Sequence, residues 1–413
     1  MRPNDRRRRG GGYFYDFTRT WSLGYATPET QKMYDQVQEI YNKVVANLKV
    51  NTSFKEYQRM TCEYFEAKGH STQLSVDVPI DGYVHSLGHG LGLNVHERGY
   101  GLTSVHNMNG DIKDLRVYQK LEERGEMLLR VYVPFLVYPE MKPDILSEAV
   151  EMRSASTNKV RGGLVKFFMD GVIETGTGLL LDDYEGRPGW RGTAQFEPEH
   201  FTELALEADK HGLQIAVHCT GDGAVRRVLD TYEIVQRQNG QRDSRHRIEH
   251  IELVGDSDVP RFAELGVIAA MQPLHSPTEI GSIDPWPARV GPARYRRSFA
   301  WQTLRDAGAH LAFGSDWTVA DMNPITGIHA ALNRTPWQDG DPNQSQTLED
   351  TLLGYTRDAA YAEHMEHEKG ILKEGCLADV VMLSEDIFQT PKEELLRVKA
   401  VLTICDGEIT YEE

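Results

Sequence analysis

Seven short apolar runs, separated by amphipathic stretches, fill residues 101–316, and this alternation restricts the fold more than any other feature of the chain. The runs are GLTSVHNM from Gly101, LLRVYVPFLVY from Leu128, GLVKFFMDGVI from Gly163, LQIAVHC from Leu213, RHRIEHIEL from Arg245, GVIAAMQP from Gly266 and HLAFGSD from His310. They have the length and β-branched content of buried strands. Between them, EPEHFTELALEADKHG, DGAVRRVLDTYEIVQRQNG and SFAWQTLRDAGA carry apolar residues at helical spacing and finish close to a glycine or alanine. Strand and helix in repetition require parallel pairing through right-handed crossovers. Seven such units stand one short of a (β/α)8 barrel. An incomplete TIM-like α/β barrel is therefore expected over residues 99–370.

The flanks have a different texture. From Gly375, GCLADVVMLS and AVLTICDGEITYEE change to hairpin-like strands about an Asp406–Gly407 turn, which predicts a small β appendage over residues 371–413. Residues 1–98 open on the strand-like GGYFYDFTRTWSLG and continue with two helical stretches, TPETQKMYDQVQEIYNKVVANL and SFKEYQRMTCEYFEAKG, an α+β segment distinct from the barrel. Lys+Arg 45 against Asp+Glu 62 leave a net charge of -17, which opposes nucleic acid and anionic membrane as partners. The basic run at residues 2–12 has two readings, a phosphate-seeking arm and, more often for such runs, a solvated or frayed terminus. Cys62, Cys219, Cys376 and Cys405 are far apart with no CxxC spacing, so neither a disulfide framework nor a thiolate zinc site is indicated, and a reducing cytoplasm fits. No apolar run approaches the roughly 20 residues that span a bilayer, and the arginine-rich start lacks the apolar segment of a signal peptide.

In a parallel barrel, polar residues at the C-terminal ends of strands face the active-site mouth. Lys166, His218, His250 and Asp316 lie at or near such ends on four different runs. A lysine inside LVKFF is costly to bury unless it is paired or covalently modified. Carbamylation by carbon dioxide would turn it into an anionic oxygen ligand. Two histidines suit Zn2+ or a similar borderline divalent metal, and Asp316 suits a ligand or a base toward water. Glu249 and Glu252 are placed to orient His250.

Together with MQPLH, NPITGIHAALNR and KGILKEGCLADVVML, these blocks resemble the amidohydrolase superfamily, and within it amidohydrolase family 3, the N-substituted formamide deformylase-like group. The resemblance implies that Lys166 is a carbamylated bridging ligand, His218 and His250 are imidazole ligands, and Asp316 is both ligand and proton shuttle. It implies hydrolysis of the carbon–nitrogen bond of a small-molecule amide by metal-activated water. His275, Trp286 and Arg294 are expected to line the mouth, with the segment GLLLDDYEGRPGWRG. The family opens its barrel on a strand ending in a His-x-His pair, and no His-x-His occurs in this chain. A barrel without that strand exposes two edges.

A second resemblance covers the first hundred residues. GYVHSLGHGLGLNVHE, preceded by GGYFYDFTRTWSLG and two helices, is similar to the pita-bread metallopeptidases of Xaa-Pro aminopeptidase type. It implies Asp16 and His89 as ligands of a dinuclear centre suited to Mn2+ or Co2+, with His85 and His96 handling protons or positioning substrate. His106 belongs to the first barrel run, so the seam falls near Arg98–Gly101. The leading expectation is a metal-dependent amidohydrolase-like hydrolase. The alternatives are an Xaa-Pro-type metallopeptidase fragment and an inactive fusion with incomplete metal sites. Self-association into a homo-oligomer stays open.

Overall fold

The computed structural model describes residues 27–47, 54–72, 74–75, 99–277 and 285–413. The chain divides into two compact units, one comprising Met1–His96 with Gly281–Pro285, the other the remainder. In the first unit, α1 (Pro28–Asn47) and α2 (Phe54–Ala67) coincide with the two helical stretches expected there. Gln36, Ile40 and Val44 recur every fourth residue on one face of α1, and the two aliphatic side chains pack with Tyr57, Tyr64 and Phe65 of α2. The Tyr64 hydroxyl donates to Glu39 Oε2 at 2.6 Å, tying the two helices together.

In the second unit all seven apolar runs become strands. They are β1 (Ser104–His106), β2 (Arg130–Leu136), β3 (Val160–Phe168), β4 (Gln214–Cys219), β5 (Arg247–His250), β6 (Ile268–Met271) and β7 (His310–Phe313). The connecting helices are α3 (Ile112–Glu123), α4 (Leu146–Ser154), α5 (Pro198–Lys210), α6 (Asp222–Asn239), α7 (Val259–Glu264), α8 (Trp286–Val290) and α9 (Trp301–Asp306). Local chemistry sets their limits. Asp111 caps α3 by accepting from the backbone N–H groups of Lys113 and Asp114, and Gly240 ends α6 at a positive φ of 89°.

Every pairing in the sheet is parallel and the spatial order is β1 through β7 in sequence. Such strands are covered on both faces, which is why all seven residues of β2 and all six of β4 are buried. Among the described residues β1 and β7 each pair on one side only, so the sheet is an incomplete TIM-like barrel. A polar network lies beside β1. His106 Nδ1 accepts from Arg247 at 2.8 Å, and its Nε2 stands 3.1 Å from Glu363, which also pairs with Lys369. Burial alone would raise the Glu363 carboxyl, but Lys369 and His106 outweigh it and hold it at about 2.

The C-terminal segment forms a three-stranded antiparallel sheet of β8 (Val380–Leu383), β9 (Ala400–Cys405) and β10 (Glu408–Glu412). Asp406 and Gly407 make the expected hairpin turn, both at positive φ. Arg130, at the start of β2, anchors this appendage through Asp379 and Asp406. No helix among the described residues is long and apolar enough to cross a membrane.

Candidate metal centre

Parallel register brings the polar strand ends side by side. Phe168 pairs with His218, Cys219 with His250, and Met271 with Phe313, so the segments carrying Lys166, His218, His250, His275 and Asp316 follow one another across β3 to β7. Two of these residues have backbones that side chains seldom adopt: His250 at φ 78° and Asp316 at φ 55°. Non-glycine residues in the left-handed region cost free energy and concentrate at functional sites.

Hydrogen bonding fixes the tautomers of the first two histidines. His218 Nε2 lies 2.8 Å from the Gly171 carbonyl. A carbonyl only accepts, so Nε2 carries the hydrogen and Nδ1 keeps a lone pair. His250 Nδ1 lies 2.8 Å from Gln272 Oε1, and the Gln272 amide nitrogen points to the Ala270 carbonyl. His250 therefore donates through Nδ1 and keeps its lone pair on Nε2. Burial pushes His218 down to about 3 and His250 well below the usual imidazole range, so both rings are neutral, the form that binds metal. Their centroids are 4.5 Å apart.

Asp170 buttresses the His218 side. It is fully buried and accepts backbone N–H groups from Leu179, Thr220 and Gly221, with His218 Nε2 at 3.6 Å. The loop after β3 is pinned in the same place by Tyr184 Oη donating to the Gly178 carbonyl and Trp190 Nε1 to the Gly176 carbonyl, each at 2.7 Å. Lys166 is 2% exposed, its ammonium 5.0 Å from the Phe168 ring centroid. Burial lowers its pKa, against the opposing pull of Glu249 and Asp316. Burial likewise raises Asp316, to about 6, with Lys166 opposing.

His275, expected to line the mouth, stands beside His250 and Asp316. Its ring stacks on His250 with centroids 5.6 Å apart and planes 12° from parallel. Nε2 faces Asp316 Oδ2 at 3.6 Å and has no hydrogen-bond partner, while Nδ1 faces Glu252 Oε1 at 3.9 Å. Glu252 is held from behind by Trp286 Nε1, which donates to Oε2 at 2.7 Å. His250, His275 and Asp316 each offer a ligand atom, and these atoms lie within 4.8 Å of one another. Neutral imidazoles, a carboxylate and a buried nitrogen lacking a hydrogen-bond partner fit a divalent cation.

Expectation and structure part at the mouth. Trp286 is fully buried, its indole packed against Phe299 and Trp337, and Arg294 is buried with Nε donating to the Val290 carbonyl. Both side chains are thus buried where the sequence had set them at the mouth, and Trp286 donates to Glu252 behind His275. Asp16, His85, His89 and His96 lie outside the described residues.

Fold and donor cluster together define a (β/α)-barrel protein with a candidate metal site at its strand ends. The chain belongs to the amidohydrolase family, whose model matches residues 93–411. Residues 8–121 match metallopeptidase family M24, in agreement with the peptidase resemblance of the first segment. Protein LONG AFTER FAR-RED 3 of Arabidopsis thaliana is 32% identical over 305 residues, 73% of this chain and 51% of that protein. N-substituted formamide deformylase of Arthrobacter pascens is 24% identical over 324 residues, 76% of this chain and 58% of that protein. The chain thus spans between half and three-fifths of the length of these relatives. An uncharacterized metal-dependent hydrolase from Pyrococcus horikoshii superposes with a TM-score of 0.62 at 27% identity, covering 71% of this chain and 58% of the other.

Proposed function

We propose that this chain hydrolyses a carbon–nitrogen bond in a small non-peptide amide, using a divalent metal, Zn2+ by donor type, at the ends of β3 to β7. The observation that carries the reading is the pair of neutral, tautomer-fixed imidazoles of His218 and His250, 4.5 Å apart between centroids, with His250 grouped beside Asp316 on the family's fold. A cation bound there supplies a Lewis acid that polarises the amide carbonyl and makes water more acidic. The chain's own groups do the rest. Asp316 accepts a proton from water and returns it to the departing amine, and its partial exposure leaves it open to the substrate side. Gln272 and Gly171 keep the two imidazoles in their ligating tautomers. Burial pushes Lys166 toward the neutral amine, the form that captures carbon dioxide as a carbamate.

The relative active on N-substituted formamides supports formamides as the first substrates to try. Four free cysteines, three of them buried, support a reducing cytoplasmic setting. The test is amine release from a panel of N-substituted formamides and other small amides by Zn2+-loaded full-length protein. Turnover is expected, falling about 1000-fold in Asp316→Asn. No turnover on any amide overturns the reading. Cleavage of Xaa-Pro dipeptides instead would favour the peptidase-like segment, which the match over residues 8–121 supports.

A further inference from the structure

We infer that His275 is a metal ligand, and that His250, His275 and Asp316 bind one divalent cation without Lys166. This rests on the reading of the strand ends as a metal site and assigns part of its ligand set. Three observations converge.

The first is a distance. His275 Nε2 and Asp316 Oδ2 stand 3.6 Å apart, too far for a hydrogen bond. Two donors each about 2.1 Å from a tetrahedral metal ion are about 3.4 Å apart. The pair is therefore spaced as two ligands of one ion.

The second is the missing partner. A neutral imidazole buried with one nitrogen unsatisfied forfeits a hydrogen bond, and buried polar atoms in folded proteins are nearly always paired. His275 Nε2 has no hydrogen-bond partner, although the side chain is only 12% exposed. A cation between Nε2 and Asp316 would satisfy both.

The third is the support behind the ring. Metal-binding histidines commonly present their other nitrogen to a carboxylate, which fixes tautomer and orientation. Glu252 Oε1 faces His275 Nδ1 at 3.9 Å, beyond hydrogen-bond reach, so it orients the ring through charge alone, and Trp286 Nε1 grips Oε2 of the same carboxylate at 2.7 Å. His250 makes the full hydrogen bond, from Nδ1 to Gln272 Oε1 at 2.8 Å, and the two rings are nearly parallel. Three protein donors with the remaining positions open is the usual plan of a catalytic site.

The experiment is a Co2+ titration of the full chain, followed by absorption spectroscopy and stoichiometry, for wild type, His275→Gln, His275→Cys and Lys166→Ala. Circular dichroism confirms that each variant is folded. Wild type is expected to bind Co2+, and His275→Gln to bind it about 100-fold more weakly, since even an outer partner of a ligand is worth 10–100-fold in affinity. Lys166→Ala is expected to retain one Co2+. His275→Cys is expected to recover binding and to add a near-ultraviolet thiolate-to-Co2+ band. The inference is overturned if wild type binds no Co2+, if His275→Gln titrates like wild type, if Lys166→Ala loses all metal, or if the bound His275→Cys protein lacks the thiolate band. Failure to hydrolyse amides, with the binding pattern intact, would sink the proposed activity and leave the ligand assignment standing.

Discussion

Replacing Arg130 by methionine isolates the attachment of the C-terminal sheet to the barrel. Arg130 donates through Nε to Asp379 Oδ2 at 2.9 Å, through Nη2 to Asp379 Oδ1 at 3.2 Å and Asp406 Oδ1 at 2.7 Å, and through Nη1 to the Asn158 carbonyl at 3.3 Å. The side chains of Arg130 and Asp379 are each 5% exposed, whereas Asp406 is 30% exposed. Removing one partner of a buried ion pair costs about 3–5 kcal/mol, because the other charge stays behind without compensation. Asp406 can turn to water and Asp379 cannot, so the lower end, about 3 kcal/mol, is expected for Arg130→Met. Adding Asp379→Leu removes the stranded charge, and the double variant is expected to recover about 2 kcal/mol of that loss. The assay is urea denaturation followed by tryptophan fluorescence. The pH dependence has a definite sign. The Arg130 hydrogen bond holds the Asp406 carboxyl below its usual range, so its contribution is present above about pH 4 and is lost as pH falls through the lowered value. Arg130→Met should flatten that acid-side loss. A single-variant cost under about 1 kcal/mol, or a double variant no better than the single, would refute the electrostatic account.

Two further outcomes follow from the barrel. A Cβ at Gly221 would overlap the Leu179 carbonyl, and the Gly221 N–H serves Asp170, so Gly221→Ala is expected to cost about 3 kcal/mol in the same denaturation assay, while a neutral result would mean the β3 loop yields freely. Burial would raise Asp209, but His246, Asn239 and Arg242 outweigh it and hold it at about 2; its stabilisation is therefore present above about pH 4 and lost as pH falls toward 2. Asp209→Asn is expected to destabilise by about 2 kcal/mol at neutral pH and to show a shallower acid-side loss between pH 4 and 2; equal slopes for variant and wild type would contradict this.

The strands were legible because a parallel sheet covered on both faces demands unbroken apolar runs, and β2 and β4 obey that rule at every residue. The Asp406–Gly407 hairpin was legible because few residues other than those adopt two successive positive φ values. The placement of Lys166, His218, His250 and Asp316 at or near strand ends could also be read from the sequence. The placement of His275 beside Asp316 could not, because it sits in a short turn just beyond β6, where sequence rank says nothing about which way an imidazole points. Trp286 misled for a related reason. An indole near a barrel mouth can face substrate or pack inward, and only the positions of Phe299, Trp337 and Glu252 decide between them.

The absent His-x-His pair weighs less on this site than sequence alone suggested. His250, His275 and Asp316 are carried by β5 and the segments that follow β6 and β7, three neighbouring strands whose mutual registers are continuous. Among the described residues the sheet has two open edges, β1 and β7, and beside β1 His106 accepts from Arg247 of β5 and faces Glu363, which pairs with Lys369. Loss of a strand between β7 and β1 would thus remove ligands that such a strand supplies while leaving the β5–β7 donors held by their own ladder and by Gln272, Glu252 and Trp286 behind them. A single cation on His250, His275 and Asp316, as inferred above, would draw these three protein donors from the barrel unit.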